Sequence, residues 1–141
     1  MRALLLSLAL AFPALAQETT NEPQLDGPKF TDSEGAELRF LDKLTSETGD
    51  VALSRGQSAK FGRLLVRLDS CRYPTDNPAS DSEAHLTIIE EATETQLFNG
   101  WMLASSPALS ALDHPRYDVW VLSCILPEAP ADGATEDGAG E

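Results

Sequence analysis

The chain has 141 residues, with 10 Lys and Arg against 23 Asp and Glu, a formal net charge of −13. That field repels phosphate backbones and anionic headgroups, which argues against nucleic acid or an anionic membrane surface as a partner. Two histidines and two cysteines, far apart in sequence, lack the clustered spacing of zinc or copper sites, so neither a metal nor another cofactor is expected.

The chain opens with MRALLLSLALAFPALAQ. Arg2 supplies a positive start, Leu4 to Phe12 an apolar core, and Ala14-Leu15-Ala16 a small-x-small cleavage motif. This reads as a signal peptide over 1–16, cut after Ala16, and predicts export. The apolar run is well short of the ~20 residues a membrane span needs, so no direct span is expected. Loss of the peptide leaves 125 residues, 9 bases and 23 acids, enough for one domain with its own core. In an oxidising compartment Cys71 and Cys124 are most simply one disulfide. Closing a loop of about 50 residues, it carries roughly 4 kcal/mol as an upper expectation. The alternative, a redox-active pair, usually places its cysteines two residues apart.

Residues 17–35 are polar, hold two prolines and lack hydrophobic periodicity, and read as a flexible linker. The folded unit is expected over 36–125. Leu38–Asp42 begins as a strand of period two. Thr45–Asp50 reads as a loop, and Arg55-Gly56 as a hairpin turn between Val51–Leu53 and Ser58–Phe61. Gly62 marks a bulge or bend. Leu64, Val66 and Leu68 then share one face, while strict alternation puts Cys71 on the other. Either the strand ends near Asp69 or a bulge shifts the register.

Residues 73–83 (YPTDNPASDSE) read as a loop. Its acids Asp76, Asp81 and Glu83 lack the glycine-punctuated spacing of a calcium loop. Ala84–Glu90 and Leu97–Leu103 read as strands. Ser106 is expected to cap, and Pro107 to start, one short helical turn near 107–112, stopped before His114-Pro115. Tyr117–Ile125 reads as a central strand because both of its faces are apolar, with Trp120, Leu122 and Cys124 on one and Tyr117, Val119 and Val121 on the other. Trp120 is expected over the disulfide. The stretch 126–141 carries five acids and no base and reads as a disordered acidic tail. The whole predicts an all-β protein, an antiparallel sandwich or barrel of about six or seven short strands.

The run Leu41-Asp42-Lys43, the later Phe61-Gly62-Arg63-Leu64, Cys71 and the long GWMLASSPALSALDHPRYDVWVLSC resemble the bacterial family called domain of unknown function 2155, over about 36–124. The resemblance implies a small exported protein of Gram-negative envelopes, hence the periplasm, with no established activity, cofactor or catalytic residues. It also implies a genomic setting beside an accessory subunit of respiratory NADH:ubiquinone oxidoreductase.

The residues support two functional readings. Trp101, His114, Arg116 and Tyr117 form a candidate partner surface, since flanking Gly and Pro place them near loops, where binding residues gather. That predicts a non-catalytic accessory protein of the envelope, with an envelope or inner-membrane protein as partner. The alternative is a hydrolase or glycan-processing enzyme built from Ser105, Ser106 or Ser110 with His114 or His85 and Asp113 or Asp118. The chain has no G-x-S-x-G elbow and no glycine-rich oxyanion loop to support it, and no catalytic residue is assigned.

Overall fold

A computed structural model describes residues 27–128; the expected signal peptide and most of the expected linker and acidic tail lie outside them. Eight strands and one 3-10 turn follow in order: β1 Phe30–Ser33, β2 Gly35–Asp42, β3 Glu47–Ser54, β4 Ser58–Phe61, β5 Leu64–Pro74, β6 Glu83–Glu90, β7 Thr95–Leu103, the turn Pro107–Leu109, and β8 Tyr117–Cys124. They form two antiparallel sheets and no closed barrel. The larger sheet runs β1-β5-β6-β7, with β4 also on β5, and the smaller runs β3-β2-β8. β5 is long enough for two partners on one edge: β1 pairs with its Cys71–Pro74 end and β4 with its Leu64–Arg67 end.

Alternation decides which side chains meet between the sheets. Leu64, Val66 and Leu68 of β5 and Leu86 and Ile88 of β6 are fully buried, and they share one core with Leu38, Leu53, Val119 and Val121 of the smaller sheet. Burying a side chain of this size contributes about 1.5–3 kcal/mol. Cys71 joins the core because the β5–β6 register shifts between Leu68 and Ser70; Asp69 is the extra residue of a bulge, which returns Cys71 and Tyr73 to the inner face. A second shift in the β2–β8 pairing makes Leu122 the extra residue and turns Cys124 inward. The Cys71–Cys124 disulfide, with Cα atoms 5.8 Å apart, therefore ties one sheet to the other.

Several local expectations change. The chain enters the fold before residue 36: β1 occupies 30–33, and buried Ser33 places its hydroxyl between the Gly35 and Ile125 carbonyls. Polar, as a linker would be, this segment is held by backbone pairing to β5. Thr45–Asp50 is not all loop, because Glu47–Asp50 pairs with Arg39–Asp42. As an edge strand β3 is largely exposed and needs no apolar alternation, and its Gly49 lies under the Phe40 ring. Arg55-Gly56 makes no hairpin: β3 and β4 belong to different sheets, so the turn is a corner between layers. The hairpin is the next turn, where Gly62 at φ +56° leads a two-residue connection between paired Phe61 and Leu64.

β8 is an edge strand, not a central one; β2 lies in the middle. Its second apolar face is partly covered, since Trp120 is half-buried and shares a hollow with Pro107, Ala108, Ala111 and Leu112. Trp120 lies on the face opposite Val119 and Val121, away from the disulfide. Pro107 does start the short turn, but Ser106 makes no side-chain cap bond and the turn is 3-10.

Candidate functional site

The four residues expected to form one surface fall into two places. His114, Arg116 and Tyr117 stand at one end of the sandwich, where β2 turns into β3 and β8 begins. His114 is 8% exposed, and its Nδ1 accepts hydrogen bonds from the backbone N–H groups of Arg116 (3.1 Å) and Tyr117 (3.0 Å). An acceptor Nδ1 fixes the neutral tautomer with its proton on Nε2, which lies 3.7 Å from the Glu90 carboxylate. His114 thus satisfies two donors at the start of an edge strand, and its ring stacks on Tyr117 at 5.2 Å.

Arg116 is half-exposed and donates from Nε and Nη2 to Oδ2 of Asp42, at 3.0 and 2.6 Å. The other Asp42 oxygen accepts from the N–H groups of Leu44 and Thr45. The Arg116 guanidinium, helped by these amides, holds the Asp42 carboxyl below the usual carboxylate range. Lys43 completes the corner by donating to the His114 carbonyl at 2.7 Å and to Asp118 at 3.0 Å.

Trp101 sits elsewhere, on the outer face of the larger sheet. β1, β5, β6 and β7 each contribute outward residues to the same patch. The Arg72 guanidinium lies 4.7 Å from the Phe30 ring centre and 4.2 Å from that of Trp101, while Glu83 accepts from its Nε at 2.8 Å. His85 meets Trp101 edge-on at 5.3 Å and contacts Asp69 through Nδ1 at 3.1 Å. The bulged Asp69 also accepts from Thr87 at 2.6 Å and Arg67 at 2.7 Å. Partial burial pushes its carboxyl up, but these hydrogen bonds outweigh burial and leave it below the usual range. The result is an aromatic and cationic cluster continuous with a polar one.

Sequence reasoning missed Phe30, Arg72 and Asp69. Alternation along β6 already sends His85 and Thr87 outward, so half of this patch had a signal. The other half depends on which strands become neighbours, which no local pattern states.

Of the hydroxyls of the hydrolase alternative, that of Ser105 is committed to a carboxylate rather than to a histidine. Ser105 donates to Asp81 at 2.7 Å, and Asp81 also accepts the N–H groups of Ser82 and Ser105. These bonds, against the effect of burial, keep Asp81 below the usual range. His114 faces backbone donors and Glu90, and His85 faces Asp69. Among the described residues no group of three or more His, Cys, Asp or Glu is arranged to hold a metal, and no helix is long and apolar enough to cross a membrane.

Fold and site together define a small two-sheet β-protein, cross-linked between its layers and carrying an aromatic, charged outer face. Residues 36–124 match the family described as an uncharacterized protein conserved in bacteria, domain of unknown function 2155, and the chain belongs to that family. It is also similar to an uncharacterized protein of Rickettsia prowazekii (strain Madrid E), 29% identical over 100 residues, which cover 69% of this chain and 64% of that protein. No solved structure matches the chain.

Proposed function

We propose that this is an exported, non-catalytic interaction protein of the periplasm, an accessory that docks on an envelope or inner-membrane protein through the outer face of its larger sheet. The observation that carries the reading is the Phe30–Arg72–Trp101–His85 cluster. Four separate strands bring together Trp, Arg and Phe, residue types that anchor protein interfaces, on a face the second sheet does not cover. The signal-like residues 1–16 and the inter-sheet disulfide support an oxidising, exported setting. An inner-membrane respiratory complex is the setting that the family resemblance implies.

Site-specific photocrosslinking in cells tests this. A photoreactive residue at Asn99 or Asp32, on the outer face, should trap one defined envelope protein. The same residue at Glu37, on the outside of the smaller sheet, should not. Trp101→Ala combined with Arg72→Ala should abolish the product while the disulfide and the melting transition persist. Equal crosslinking from both faces, or none from the larger sheet, would defeat the proposal.

A further inference from the structure

The open end of the sandwich holds a cleft of about 280 Å³ between the two sheets, lined by Phe40 and Asp42 of β2, Lys60 and Phe61 of β4, Arg116 and Tyr117. We infer that this cleft is a binding site for a carboxylate carried on a flat apolar body, a single ring on a short arm.

Tyr117 supplies the first argument. It is 4% exposed, yet its hydroxyl makes no hydrogen bond within the described residues, and no fully buried side-chain polar atom among them lacks a partner. The hydroxyl therefore opens on the cleft that Tyr117 lines. Buried tyrosines usually find a partner for this group within the protein; here the hydroxyl is left to solvent or to a molecule that enters the cleft. Gly62 allows the arrangement, because a Cβ at that position would strike the phenol.

Charge supplies the second. Asp42 spends both oxygens on Arg116, Leu44 and Thr45, and Lys60 pairs with Glu91. What remains unspent is mostly donor: Nη1 of Arg116, the Tyr117 hydroxyl and the other ammonium protons of Lys60. Glu47, exposed at the rim, is the acid without such a partner. Arg116, Tyr117 and Lys60 line the same cleft, and donors of this kind, two of them charged, suit a carboxylate. The apolar wall is the Phe40–Phe61 pair, stacked at 4.4 Å, and suits a ring. The volume lies just below the range of ordinary ligand pockets, which fits one ring and excludes a dinucleotide. The larger hollow beside Cys124 is less suited, because its Asp81 and Ser82 side chains are already paired within the chain.

Such a carboxylate comes from a free small acid or from the C-terminal residue of a peptide. The test titrates the mature full-length protein, labelled with 15N, with 3-phenylpropionate, with its neutral amide, and with a short peptide ending in Gly-Phe. The acid should bind with a Kd of about 1–10 mM, as its size allows, and shift the amides of Thr45, Gly62, Arg116 and Tyr117 saturably. The neutral amide should bind at least about fivefold more weakly. Tyr117→Phe, which keeps the ring, should weaken the acid about three- to tenfold, the weight of one net hydrogen bond. A peptide that binds tenfold tighter than the acid makes a protein C-terminus the source, and equal affinity makes it a small acid. The site does not exist if neither probe gives saturable shifts to about 20 mM, or if the amide and the Tyr117→Phe variant behave like the acid and the parent.

Discussion

Replacing Cys71 and Cys124 together by alanine removes the disulfide cross-link between the sheets. The two positions are 53 residues apart, and chain-entropy reasoning for a loop of that size gives about 4 kcal/mol of stabilisation through the unfolded state. Both sulfurs are buried in the shared core, so their loss adds roughly 1 kcal/mol of packing. Urea unfolding of the double variant should therefore show a loss of about 4–5 kcal/mol. Its m-value should be higher, because the uncrosslinked unfolded chain exposes more surface. For a domain near 100 residues that corresponds to a Tm lowered by about 15–30 °C. The parent protein unfolded in reductant should match the variant to within about 1 kcal/mol, the packing part. A variant that loses less than about 1 kcal/mol, with an unchanged m-value, would show that the sheets hold each other without the link and that the entropic reasoning fails here.

Gly62→Ala should cost about 2–4 kcal/mol, since it adds a collision with Tyr117 to the strain of a positive φ, whereas Gly56→Ala, at φ +80° in open space, should cost only about 1. Equal losses in thermal melts would remove the Tyr117 contact from the explanation. His114→Ala leaves the N–H groups of Arg116 and Tyr117 without their acceptor and should cost about 2–4 kcal/mol. His114→Asn keeps an acceptor and should recover part of that, and 15N chemical shifts of the parent should show the Nε2-protonated tautomer. For Asp42 and Asp69 the folded carboxyl lies below its unfolded value. Their contribution is thus fully present above the unfolded pKa of about 4 and is lost as pH falls through the lower folded values. The Tm should be level from pH 7 to about 5 and drop below about 4, with Asp69→Asn flattening that limb; the same acid slope in Asp69→Asn would contradict the assignment.

Much of the architecture is written in the alternation of single strands. Leu64-Val66-Leu68, Leu86-Ile88 and Val119-Val121 announce their inner faces, and their β-branched and aromatic neighbours exclude helix. Pairing is not written there. The stretch 47–50 is polar and glycine-bearing because an edge strand exposes both faces, so it looks like a loop until β2 supplies the hydrogen bonds. Phe30–Ser33 looks like linker for the same reason. β8 shows the converse error: two apolar faces suggest a strand flanked on both sides, but the second face is partly met by the segment around Pro107–Leu112 rather than by another strand.

The bulges explain why the candidate site was only half legible. One extra residue at Asp69 reverses the facing of everything after it in β5. Cys71 turns inward to meet Cys124, and Arg72 turns outward between Phe30 and Trp101. This irregularity therefore sets the facing of both Cys71 and Arg72, the Leu122 bulge of β8 does the same for Cys124, and the bulged Asp69 itself becomes the acceptor that joins Arg67, His85 and Thr87. Deleting Asp69 would remove the bulge yet leave Cys71 opposite Ala84 and Arg72 opposite Glu83, so both would keep their sides, while Arg67, His85 and Thr87 would lose their shared acceptor. The pairing of Ser70–Arg72 with β6 is thus the determinant that disulfide and outer face share: the Asp69 deletion should keep both oxidation of the Cys71–Cys124 pair and the Trp101 fluorescence, and losing the two together would refute that register.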